Sequence, residues 1–288
     1  MANENETKPK IEINRNFPPP PENMQEMWSS GIRKMLLELT DKYVDTLLSH
    51  DSTRLQYTSD VKYTENGKAL KIGDGIWKTA NKILLKRTFT DTRTFSTHTE
   101  AIIEENDSQA IYAGRLKFEC GRISEIENII ARPGDFFFNP QGVLDTKDQD
   151  WETILPVDQR ISRLALIAAA NDYFDMFAHE PEVCSPFHEM CDRWENGTIT
   201  TVRNDSFPLS EGKREHDGSP KGLPIYNHRP RRFLVDVETG CVAAYMHFAN
   251  SLPDVHMFKL ISGKIVLIHA TVGPRSDTMG WPEEKISL

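Results

Sequence analysis

The chain has 288 residues, enough for two ordinary domains or one large one. Its 34 basic and 43 acidic side chains leave a formal charge of −9, which argues against a general nucleic-acid binder, since that role needs a basic face for phosphates. Hydrophobic residues are 38% and charged ones 27%, the balance of a globular protein in water, and no apolar run approaches the roughly 20 residues that span a bilayer.

Residues 1–22 read as an N-terminal arm: polar and charged, then Phe17 followed by Pro18 to Pro21, a stretch that builds no core. The first ten residues carry no hydrophobic segment behind a basic start, so no secretory signal is expected. Cys120, Cys184, Cys191 and Cys241 are accordingly read as reduced thiols in a cytoplasmic protein. Cys184 and Cys191, with His179 and His188, fit no zinc spacing, and no metal is expected.

From Asn23 the pattern is helical, with Leu36, Leu39, Tyr43 and Leu47 on one face until His50-Asp51 breaks it. Strand signals follow: Val61 and Tyr63 before the turn Glu65-Asn66-Gly67, then 88–95, 101–104, 110–119 and 123–131. A helix followed by a run of strands predicts an α+β domain over 23–132. Residues 133–156, with Phe136-Phe137-Phe138 and Asn139-Pro140, are expected to link it to a second domain over 157–288.

That second domain repeats the first. At a shift of 130 residues, Leu36, Tyr43, Asp45, Glu65, Asn66 and Gly67 fall on Leu166, Tyr173, Asp175, Glu195, Asn196 and Gly197. At a shift of 142, Lys117, Gly121, Ile123 and Ile126 fall on Lys259, Gly263, Ile265 and Ile268. KFECGRISEI and KLISGKIVLI each read as two strands joined at a glycine turn. The change of shift predicts an insertion in the second copy, placed in the Gly/Pro-rich loop 209–230.

The motifs YVDTLLSHDSTRL, DVKYTENG and KFECGRISEIENIIAR in the first copy, and YFDMFAHEPE, CDRWENG and FKLISGKIVLIHATV in the second, resemble the NTF2-like superfamily and more closely its SnoaL-like branch. The resemblance implies two tandem cystatin-like cones. Each would be a curved, mostly antiparallel sheet wrapped around N-terminal helices, with a pocket inside. Ketosteroid-isomerase-like members pair a helix tyrosine, which donates to a substrate oxyanion, with an acidic base at the end of the next strand. Tyr43 and Glu65 match that pair in the first copy, and Tyr173 and Glu195 in the second. A carboxylate in an apolar cone has its charged form disfavoured, and a phenol there can stabilise developing negative charge. Both pairs also read as core tyrosines and hydrogen-bonded turn residues.

The remaining candidates follow from how the copies differ. Trp77 in GDGIW is either an aromatic wall for a planar ligand or a core anchor. Arg115, if it points inward, needs Glu65 or Glu127 as partner, because an unpaired buried charge is costly. Glu127 is replaced by His269, so Glu195 and His269 could form an acid–base pair in the second cone. Asn66 and Asn196 in the turns are candidates for contacting substrate. So is His228, which lies with Tyr226, Arg229, Arg231 and Arg232 in the inserted loop.

No phosphate loop, dinucleotide fingerprint, HExxH or Gly-x-Ser-x-Gly is present, so no cofactor is expected. The tandem arrangement resembles the bacterial diarylpropane lyases of lignin catabolism. That resemblance implies a cofactor-free lyase on a small aromatic substrate, releasing formaldehyde and a stilbene through a quinone methide. A dehydratase or isomerase, and a non-catalytic binding or assembly module, are the alternatives. Relatives that pair through their sheets imply a homo-oligomer, with no nucleic acid or membrane partner.

Overall fold

A computed structural model describes residues 24–176, 183–201, 230–249 and 251–281. The N-terminal arm 1–22, His179, Tyr226, His228, Arg229 and the inserted loop 209–229 lie outside the described residues.

Helix α1 (Met24–Leu48) opens the first unit. Its Leu36, Tyr43 and Leu47 are buried in the apolar core against the first sheet. The helix stops where His50 enters the left-handed region at φ 56°, and the Asp51 carboxylate then caps the next turn at Thr53 N. Strands β1 (Tyr57–Glu65), β2 (Lys68–Ala69), β3 (Ala80–Asp91), β4 (Ser96–Glu105), β5 (Ser108–Glu119) and β6 (Arg122–Ala131) form one six-stranded sheet, in the order β2-β1-β6-β5-β4-β3. The β1–β6 pair is parallel and the others are antiparallel.

After the short helix α2 (Pro140–Leu144), helix α3 (Arg163–Asp175) starts at Ser162, whose Oγ accepts from Ala165 N. Strands β7 (Phe187–Glu195), β8 (Thr198–Ile199), β9 (Arg232–Asp236), β10 (Cys241–Phe248), β11 (Leu252–Ile261) and β12 (Lys264–Val272) form the second sheet, β8-β7-β12-β11-β10-β9. The two sheets thus have the same strand order, again with one parallel pair, β7–β12. The fold is α+β, with two similar mixed sheets and few helices. Among the described residues no helix is long and apolar enough to cross a membrane.

The predicted strand 88–95 straddles a turn. Asp91 Oδ1 accepts from Arg93 N and Thr94 N, and Phe95 sits at φ 51°, so the chain reverses between β3 and β4. The first half of β3 escaped the alternation signal because its register shifts twice, between Ala80 and Lys82 and between Ile83 and Leu85. The expected glycine hairpins are present at Cys120-Gly121 and Ser262-Gly263, where both central residues have positive φ.

Strand alternation gives each sheet two faces. The inner faces carry the helices: α1 over Tyr63, Ala101, Tyr112 and Ile126, and α3 over Val242, Ala244, Phe258 and Ile268. The outer faces pack on each other around Phe89, Ala113, Ile129, Ala243, Tyr245 and Met257. Two reciprocal locks join the units. Asp236 accepts from Thr90 N and pairs with Arg33 of α1, while Asp91 accepts from Val235 N and pairs with Arg163 of α3.

The segment 133–156 is built into the fold. Asn139 N donates to Asn196 O at 2.8 Å, and Trp151 is buried between the sheets. Residues 276–280 lie on the Gly67 turn of the first unit in the same way, so each unit is followed by a segment that clamps the other unit's Asn-Gly turn.

Candidate functional site

In the first unit Glu65 ends β1 and Tyr43 projects from α1. Glu65 Oε2 accepts from Ile76 N at 2.9 Å and from Tyr63 Oη at 3.2 Å, and Oε1 lies 3.1 Å from Arg132. Its charge is matched by an arginine and its oxygens are occupied. Tyr43 meets Trp77 edge-on at 5.3 Å, and burial pushes its phenol up to about 12. Trp77 is therefore packed against Tyr43 in the core. Tyr112 lies over Gly114, where a Cβ would fall 1.9 Å from its Oη, and donates to Asn128 Oδ1 at 2.9 Å.

Asn66 and Asn196 do the same work in both units. Asn66 Nδ2 donates to Ile130 O and its Oδ1 accepts from Ile130 N. Asn196 repeats both bonds with Val272 and donates again to Phe136 O. Both amides clip the turn to the last strand of their own sheet. The glycines that follow them sit at φ 76° and 81° with foreign backbone against them.

The second unit departs from the first at the positions that matter chemically. Arg193 stands where Tyr63 stands, and Asp254 and His256 occupy the places of Tyr112 and Gly114. Two residues apart on β11, Asp254 and His256 share the inner face. His256 Nδ1 lies 3.1 Å from Asp254 Oδ1, and Nε2 makes no hydrogen bond among the described residues. The His256 ring is 5.4 Å from Tyr173, and Phe174 and Phe258 border it at 5.2 and 6.0 Å. Arg193 donates to Tyr173 Oη at 3.0 Å and lies 3.6 Å from Glu195. Burial raises the Asp254 carboxyl; His256 opposes that shift and Glu195 adds to it. Burial also pushes the Tyr173 phenol up to about 12 against the pull of Arg193.

Arg115 and His269 lie on the outer faces. Arg115 pairs with Glu127 at 3.0 Å, one of the two partners expected for it, and Glu127 also binds Arg232 at 2.6 Å from across the interface. His269 does not meet Glu195. It pairs with Trp194 in the ladder, one residue out of phase with Glu195, so its ring points between the sheets. There it contacts Glu100 of the first unit at 3.0 Å and the Trp151 ring at 5.0 Å.

Tyr173 and Glu195 therefore share one site, Tyr43, Glu65 and Trp77 share another, and Arg115 and His269 belong to neither. Asp254, His256 and Arg193 escaped the sequence reading. Their signal was the Asp-Val-His spacing on a strand already aligned with the first copy, where Tyr112 and Gly114 stand. Among the described residues no group of three or more His, Cys, Asp or Glu could hold a metal ion.

No curated protein matches the chain. Residues 159–272, from the turn before α3 to the end of β12, match a family described as a domain of unknown function, DUF8021.

Proposed function

We propose that the protein is a cofactor-free acid–base enzyme on a small aromatic molecule, with each unit an NTF2-like cone and the second cone carrying the chemistry. The observation that carries this reading is the buried Asp254–His256 pair beside Tyr173. A carboxylate on Nδ1 fixes the tautomer and leaves the Nε2 lone pair to act as a base. Tyr173, its oxygen held by Arg193, offers hydrogen bonding to a substrate oxygen. Phe174 and Phe258 supply aromatic walls. The first cone lacks such a base: glycine replaces the histidine, and Glu65 is neutralised by Arg132.

The specific reaction we propose is deformylation of a phenolic diarylpropane-1,3-diol. The benzylic hydroxyl leaves as water while the phenol loses its proton, giving a quinone methide. His256 takes the proton of the terminal hydroxymethyl group, the carbon–carbon bond breaks, and its electrons return to the ring. The products are a stilbene, formaldehyde and water, so atoms and electrons balance without an external oxidant. Tyr173, with Glu195 behind Arg193, faces the departing oxygen.

The test is incubation of the full chain with such diols, following stilbene absorbance and formaldehyde together. Equimolar appearance of both is expected. Loss of water without formaldehyde would make the protein a dehydratase, and the absence of any product across the panel would overturn the enzymatic reading.

A further inference from the structure

Helix α3 ends beside the Asp254–His256 pair, and its last turn is held from the start of β9. Asn171, Phe174 and Asp175 stand three and four residues apart, so they share one face of the helix. Arg231, the residue before β9, lies across that face. Its Nη1 donates to Asn171 Oδ1 at 2.6 Å and its Nη2 to Asp175 Oδ1 at 2.6 Å. The guanidinium stands 5.0 Å from the centre of the Phe174 ring, and the side chain is 2% exposed. The same ring meets His256 edge-on at 5.2 Å.

The first unit carries a different solution at the same place. β3 and β9 are the corresponding edge strands of the two sheets, and their reciprocal Asp91 and Asp236 align Lys86 with Arg231. Lys86 pairs with Asp41, the counterpart of Asn171, in water: the two side chains are 31% and 58% exposed. Val44 stands where Phe174 stands. The unit with the Asp254–His256 pair thus has a buried arginine on an aromatic ring in place of an exposed lysine. An ammonium is a point charge on a flexible stem, whereas a guanidinium is a planar fork that holds two acceptors and lies on a ring at once. The next residue ties this fork to the first unit. Arg232 projects from the opposite face of the strand and donates to Glu127 Oε2 of the first sheet at 2.6 Å.

We propose that Arg231 is a positioning residue of the second site: it sets the Phe174 ring against His256, and Arg232 with Glu127 anchors that setting to the first unit's sheet. The inference rests on the placing of the chemistry at His256. A cation at the end of a helix also favours the helix dipole, but lysine fills that role as well as arginine does. Arg231→Lys therefore separates positioning from plain stabilisation.

The test is the NMR signal of the His256 ring protons in the full chain, assigned by its loss in His256→Asn. A neighbouring aromatic ring shifts that signal, and Phe174→Leu gives its place when the ring is gone. Arg231→Lys should move the signal toward that place and lower turnover of the phenolic diol roughly tenfold, with the thermal midpoint near native. Asp175→Asn, which removes one arm of the fork's grip, should move the signal the same way. A His256 signal at its native place in both folded variants, with thermal stability alone changed, would overturn the proposal. Absence of turnover in the native chain would overturn the enzymatic reading instead, and the His256 signal would still decide the role of Arg231.

Discussion

Glu65 and Glu195 occupy the same turn and have different surroundings. A tyrosine two residues before Glu65 becomes an arginine before Glu195, so a phenol that donates to the first acid is replaced by a guanidinium 3.6 Å from the second. The glycine after each acid was legible as a turn signal, but its second role was not, because the backbone that meets it comes from a distant segment. A Cβ on Gly67 would fall 1.7 Å from Thr278 O, whereas one on Gly121, at the same φ of 76°, would meet nothing within 4 Å. Gly121→Ala should therefore cost only the conformational penalty of about 1 kcal/mol. Gly67→Ala should cost at least about 2 kcal/mol more, since backbone must move. Urea denaturation of the two variants measures this, and equal losses would contradict the clamp.

At the scale of elements, the hydrophobic periodicity revealed α1, the hairpins and the repeat, because helix and strand periods act locally. The outer faces were harder to read. Glu100, Glu127, Arg115 and His269 look like solvent-facing strand residues, and only the packing of sheet on sheet buries them. One ladder step separates a His269 that meets Glu195 from one that meets Glu100.

That buried network sets a pH dependence. Burial, which would raise the Glu100 carboxyl, is outweighed by His269 and Arg87, and the group is held down at about 2. Burial lowers His98 to about 4, while Glu100 pulls weakly the other way. Both groups have folded values below their unfolded ones, so the stability they contribute is present at high pH and lost on acidification. His98 acts first, as pH falls from about 6.5 toward 4. Glu100 follows between about 4.5 and 2. The urea midpoint should fall across the upper window in the native chain and stay flatter there in His98→Gln. An unchanged slope in that variant would contradict the assignment.

The whole molecule is a pair of like units related by exchanged contacts. Arg33–Asp236 mirrors Arg163–Asp91, and the segment after each unit clamps the other's Asn-Gly turn. The repeat in the sequence revealed the two units, but not that the supposed linker is an inserted part of the interface. Nor did it point to Asp254 and His256, because the shared Tyr and Glu were visible in both units while these two residues matched nothing in the first. The chemistry proposed above belongs to the second unit alone. The most direct measurement is turnover of a phenolic diarylpropane diol by His256→Asn and by Glu65→Gln, each checked for native folding. A loss of about 10²–10⁴-fold is expected in His256→Asn, with Glu65→Gln within a few-fold of the native chain. Native turnover in His256→Asn, or a comparable collapse in a folded Glu65→Gln, would contradict it.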